Sequence, residues 1–141
     1  MMTLEERLKH LDFVQAVINR LAQNSFLLKG WSVTLAAALF VLAQSNTNVT
    51  MAALAFGPVL VMWGLDGYFL ALERRFRALF KDAASGNIPA RFSMEVAQYE
   101  ATATWWGSVT SKSVLGFHIP LAAIIALVVV YMVFAGGGGG A

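Results

Sequence analysis

Three side chains stand where charge is costly: Asp66, Lys29 and His118, each inside an apolar stretch. Asp66 belongs to WGLDGYFLALERRFR, residues 63–77, an apolar run with glycines on both sides of the aspartate and a burst of arginine at its end. A lone charge at the centre of a membrane-spanning helix costs about 2.5–3.5 kcal/mol on insertion-based scales, so it must face protein or water. Asp66 lies fifteen residues past Met51, Lys29 fifteen before Gln44, and His118 sixteen before Phe134. At ~1.5 Å per helical residue, all three sit roughly 22–24 Å from the same end of their segments. One polar residue from each segment thus reaches one level. Such a cluster can be a buried ion pair that holds helices in register. It can also line or gate a water-filled path, with His118 as its pH-sensitive member. A third reading has Lys29 extending to the headgroups and ignoring Asp66.

Other chemistry is scarce. There is no cysteine, so disulfides and thiolate metal sites are excluded. No glycine-rich phosphate loop, paired-histidine zinc motif or serine elbow occurs. His10 reads as a solvated helix residue. No enzyme, cofactor or metal is expected, and three spans without an inverted repeat do not make a transporter.

The elements that must position the cluster are read from apolar length. The chain has 141 residues, 58% apolar and 13% charged, which is too greasy for a soluble domain. Leu27–Ala43, Met51–Leu72 and Ser113–Phe134 each have the length needed to cross a ~30 Å hydrocarbon core. Residues 3–29 read as an amphipathic helix: Leu4, Leu8, Leu11, Val14, Ile18, Leu21, Ser25 and Leu28 recur at three- and four-residue steps. Thr3 with Glu6 fits a capping box. No breaker separates this helix from the first span, and Gly30 is its one soft point. Its apolar stripe either packs on the chain itself or on the membrane, or forms a self-association seam.

QSNTNVT, residues 44–50, permits only a tight turn, so the first two spans form a hairpin. Residues 73–112 continue the second span as helix, break at Ser85–Asn87 and Pro89, and read as helical again over Phe92–Trp106. Pro58 and Pro120 should bend their spans. Gly57, Gly64 and Gly67, with Ser32, Ala36 and Ala37, should let the spans approach closely. The fold expected is an all-α membrane protein, a long N-terminal helix running into a helical hairpin plus a third transmembrane helix, assembled as a homo-oligomeric bundle. Its parts are an amphipathic cytoplasmic helix (1–29), the hairpin (30–72), a basic cytoplasmic segment (73–112), the third span (113–135) and a flexible tail (136–141).

Every lysine and arginine falls at or before the start of the first span or between the second and third. The positive-inside rule makes that side cytoplasmic, with the N-terminus inside. Trp31, Trp105 and Trp106 fall near this boundary. The first stretch carries Glu5, Glu6, Arg7, Lys9 and Asp12, unlike a signal peptide. On the cytoplasmic side Arg74, Arg75, Arg77, Lys81 and Arg91 alternate with Phe76, Phe80 and Phe92. Repeated around an oligomer, they would attract phosphates, and rings could stack bases of an anionic nucleotide or single strand. The competing partner is the anionic headgroups of the lipid bilayer, worth ~1 kcal/mol per basic residue. Three spans cannot enclose a pore alone, so conduction would need several copies in a closed ring.

RLKHLDFVQAVINRLAQNSFLLKGWSVTLAAALF (Arg7–Phe40) and WGLDGYFLALERRFRALF (Trp63–Phe80) resemble small membrane proteins of bacterial anti-phage defence. They are similar to the SLATT-type effectors and, among these, to membrane effectors of Hailong-type systems. The resemblance covers residues 7–80, and SLATT-type proteins are usually described with two spans rather than three. It implies a tetrameric ion channel of the bacterial inner membrane, controlled by the product of a nucleotidyltransferase partner, a short single-stranded DNA in Hailong-type systems. Opening would depolarise the cell. The alternative is a non-conducting membrane anchor or accessory subunit for a cytosolic partner, recruited through 1–29 and 73–112.

Overall fold

The computed structural model describes residues 2–46, 48–87 and 92–137, and these are helical without strands. Helix α1 spans Leu4–Asn46 without a break, 43 residues, which is about 64 Å at ~1.5 Å per residue. It opens with the expected capping box. The Thr3 amide donates to Glu6 Oε2 at 2.8 Å and the Glu6 amide to Thr3 Oγ1 at 3.2 Å. Nothing in the sequence stops the helix before the polar turn, so the N-terminal amphipathic stretch and the first apolar stretch are one element. Among the described residues three helical stretches, Leu4–Ser45, Val49–Ser85 and Lys112–Ala135, are long and apolar enough to cross a membrane.

The expected second span is interrupted, not merely bent. Helix α2 covers Val49–Leu54, and α3 covers Phe56–Ser85. Pro58 accounts for the interruption. It lacks the N–H that would reach the Leu54 carbonyl, yet its place in the first turn of α3 costs that helix no bond. Asn48 caps α2, its side-chain oxygen accepting from the Thr50 amide at 2.9 Å and, more weakly, from the Met51 amide at 3.4 Å. Helix α3 stops at Gly86, whose φ of +86° suits glycine, with its N–H returned to the Ala83 carbonyl at 3.2 Å.

The expected helix over Phe92–Trp106 is not formed. A 3-10 turn at Ala97–Tyr99 and a short helix, α4 (Trp105–Val109), lie in an otherwise irregular strap. Phe92 has φ +53°, outside helical space. Long-range bonds hold the strap flat: Arg75 Nε donates to the Ala103 carbonyl at 3.0 Å, and Tyr99 Oη to Asp82 Oδ2 at 2.7 Å. These bonds outweigh a weak local preference. Helix α5 (Lys112–Gly137) is the third apolar helix and continues through Pro120. The lysine and glycine tail boundaries expected at 112–113 and 135–136 therefore shift by a residue or two.

Helices α1 and α3 lie antiparallel. Arg7 donates to the Ala84 carbonyl, Val14 and Ile18 pack with Leu79, Ser25 bonds Asp66, and Ala36 packs with Ala55 and Val59. The stripe of α1 is thus used within the chain over Val14, Ile18 and Leu21, whereas Leu4 and Leu8 stay exposed. Ile125 of α5 joins the Ala36–Val59 core. Two apolar cores therefore flank a polar level, with Phe76, Phe80, Val96 and Tyr99 covering the lower one.

The glycines of α3 serve the strap rather than α1. A Cβ at Gly67 would meet Val109 Cβ at 2.7 Å and its Cα at 2.8 Å, and Gly64 faces the Trp105 ring. Gly57 has open space around it. Backbone cannot retreat as a side-chain tip can, so Gly67→Ala should destabilise by ~1–3 kcal/mol as overpacking does. Gly30 meets nothing within 4 Å, so Gly30→Ala should stabilise by roughly 0.5–1 kcal/mol. Thermal unfolding in detergent micelles checks both; equal melting temperatures for the two variants would contradict the Gly67–Val109 approach.

Candidate functional site

Asp66 projects from the middle of α3 and is fully buried. Lys29 Nζ approaches its Oδ2 at 2.6 Å, and His118 Nε2 lies 3.2 Å from the same oxygen. Ser25 Oγ donates to Oδ1, and Lys29 Nζ donates to Ser25 Oγ at 2.9 Å. The structure thus brings together all three residues that depth counting put at one level. It adds Ser25, one helical turn before Lys29. The i, i+4 spacing of Ser25 and Lys29 was visible in the sequence, but Ser25 read there as part of an apolar stripe.

A carboxylate accepts and does not donate, so the proton in the His118–Asp66 bond sits on Nε2. His118 Nδ1 and Ser32 Oγ are buried with no hydrogen-bond partner among the described residues. The Trp63 ring stacks on His118 at 5.8 Å between centroids and 6° between planes, and Phe117 meets it edge-on. Aromatic walls keep the imidazole in place and water away. Asp66 and His118 are wholly covered, while the Lys29 side chain keeps 19% exposure. In a single chain the cluster therefore reaches its surroundings through its two α1 members, Lys29 and Ser25, which are only partly covered. Breaking such a pair leaves an uncompensated charge, whereas removing both members is far less costly.

The basic–aromatic stretch divides between two faces of α3. Phe76 and Phe80 turn inward and pack on Val14, Ile18 and Leu79. Arg74 donates to the Gly107 carbonyl and to Ser108 Oγ, both at 3.3 Å. Arg75 binds the Ala103 carbonyl and lies 3.5 Å from Glu100. Arg77 pairs with Glu73 at 2.7 Å, one turn earlier, and Lys81 is exposed. Arg91 lies outside the described residues. Hence Arg74 and Arg75 clamp the strap, and Arg74, Arg77 and Lys81 share the outward face at steps of three and four.

His10 is not the solvated residue expected. It is fully buried, its Nε2 lies 2.9 Å from the Ser93 carbonyl, and Phe92 covers its ring. The strap's return over α1, which the sequence does not announce, buries it. No cluster of three or more His, Cys, Asp or Glu side chains suited to a metal occurs among the described residues.

Comparison with family models, curated proteins and solved structures finds no match to this chain.

A double-mutant cycle tests the pair. Asp66→Leu alone should cost about 3 kcal/mol, the lower end for a broken buried pair because Lys29 is partly exposed. Adding Lys29→Met should recover part of that loss, with a coupling of about 1–3 kcal/mol in unfolding equilibria measured in mixed micelles. Strictly additive losses would show that the two side chains do not share an interaction.

Proposed function

We propose that the protein is the subunit of a homo-oligomeric ion channel, a membrane effector of bacterial anti-phage defence related to SLATT-type and Hailong-type effectors. The observation that carries this reading is the Asp66–Lys29–Ser25–His118 network inside helices of membrane-spanning length. Intramembrane ionisable groups are expensive and usually serve ion or proton pathways. One chain of three spans cannot enclose water, so the conducting form is a ring of copies, a tetramer by resemblance. In it the exposed edge of Lys29 would meet the conduction path. The network links α1, α3 and α5, so a shift of one helix would change the pairing seen from that path.

Gating would come from the cytoplasmic side, in the inner membrane with the N-terminus inside. Arg74, Arg77 and Lys81 offer an outward cationic row, with Arg91 nearby in sequence. Phosphates of a nucleotide or a short single-stranded DNA, made by a nucleotidyltransferase, are the expected ligand. Phe76 and Phe80 would act by supporting that row from within, since both pack on the core. Arg75 already spends its bonds on the strap, so it would transmit rather than bind.

A second reading, a non-conducting anchor or accessory subunit, is favoured by one fact. Asp66 and His118 are sealed within the single chain, as a purely architectural ion pair would be. Planar-bilayer recordings of the purified protein separate the two. The channel reading expects conductance, and expects Asp66→Asn, Lys29→Gln and His118→Ala each to alter it. Conductance unchanged by all three substitutions would remove the network from the pathway. No conductance, together with stable co-purification of a cytosolic partner, would establish the anchor.

A further inference from the structure

We propose that residues 101–111 are not cytoplasmic but re-enter the membrane, lying in the leaflet on the side of the basic residues, with Trp106 as the lipid-facing anchor. This inference is independent of whether the protein conducts; it rests on the spans crossing a bilayer.

Depth is the first ground. Helix α4 docks on α3 at the level of Trp63–Gly67. Trp105 Nε1 donates to the Gly64 carbonyl at 3.0 Å, Trp63 Nε1 donates to the Val109 carbonyl at 3.0 Å, and Val109 sits against Gly67. Gly64 and Gly67 follow Val49, the first residue of α2, by fifteen and eighteen residues. That is roughly 22–27 Å of helix. A ~30 Å hydrocarbon core has not ended at that distance. The docking point is therefore a few ångströms inside the apolar layer, beside the cluster formed by Asp66.

Composition is the second. Between Glu100 and Lys112 there is no Asp, Glu, Lys or Arg, whereas Glu95 and Glu100 just before are charged and exposed. The boundary between water and lipid would fall where the charges stop.

Polar satisfaction is the third, and the most specific. Non-helical backbone is tolerated at membrane depth only where the protein supplies its hydrogen bonds. Here it does so. Thr104 Oγ1 accepts from the Gly107 amide at 3.1 Å, and Thr110 Oγ1 donates to the Trp106 carbonyl at 2.7 Å. The Gly107 and Ala103 carbonyls accept from Arg74 and Arg75. The Val109 carbonyl, orphaned at the end of α4, accepts from Trp63. Trp106 points the other way: the residue is 71% exposed, its ring edge-on to Trp105 with centroids 4.5 Å apart. An exposed indole whose body is apolar and whose N–H is polar suits the headgroup boundary.

The absence of cysteine in the sequence makes the test direct. Single variants Trp106→Cys and Thr110→Cys carry a nitroxide in liposomes, and collision rates with oxygen and a water-soluble nickel chelate report depth. Ile124→Cys on the exposed face of α5 is the lipid reference, and Lys81→Cys and Gln98→Cys are the aqueous ones. Nickel collisions at 106 and 110 should be several-fold below those at 81 and 98, with oxygen collisions towards those at 124. Nickel accessibility at both positions equal to that at 81 and 98 would overturn the proposal. Thr110 supplies the reading where loss of the Trp106 ring disturbs the strap.

Discussion

A carboxylate in a membrane-length helix must obtain from the protein every hydrogen bond that water would have offered. Asp66 does so from three directions, and those directions define the bundle. Ser25 and Lys29 come from α1, His118 comes from α5, and Asp66 itself stands on α3. Apolar contacts between membrane helices are weakly directional, because lipid tails compete for the same surfaces. A polar contact in the same place is not interchangeable with lipid. The apolar layers on either side, Ala36–Val59–Ile125 and Val14–Ile18–Leu79, can then close around a register already determined by charge.

That polar level is also where the strap comes to rest. Trp63 stacks on His118 and donates to the Val109 carbonyl, so one side chain touches both the titratable network and the segment that leads into α5. Gly67, beside Asp66 in sequence, makes room for Val109. Any displacement of residues 101–111 must therefore be felt by the ring packed on His118. Below, Arg74 and Arg75 hold the same strap through its carbonyl groups. Loss of the Arg74 and Arg75 contacts would loosen the strap at one end while Trp63 and Trp105 grip it at the other. Such an arrangement suits a signal passing from the basic side to the membrane interior.

The same contacts account for a network that is closed in one chain. Breaking a covered pair strands an uncompensated charge, so Asp66 and His118 are held where water does not reach. Lys29 and Ser25, the partly exposed members, bring α1 to Asp66. The largely exposed apolar faces of α1 and α5, including Phe26, Leu27, Trp31, Ile124, Leu127 and Phe134, leave ample area for lipid. Further copies could pack on the same faces.

Helical class, the number of membrane-length segments, the continuity of α1 and the one-level alignment of Asp66, Lys29 and His118 were legible in the residues. Each follows from local rules of apolar length, capping and rise per residue, which need no knowledge of neighbours. The interruption at Ala55 was half legible, because Pro58 announces a disturbance but not whether the helix bends or stops. The strap was misread as helix, His10 as solvated, and Phe76 and Phe80 as available rings. These depend on what lies across from them: Asp82, Ser93, Gly64, Val14 and Ile18 are distant in sequence and adjacent in space. Sequence alone therefore determined the long apolar helices and the alignment of their polar residues. Only the tertiary structure decided which faces meet, because pairing depends on competition among surfaces that local pattern does not record.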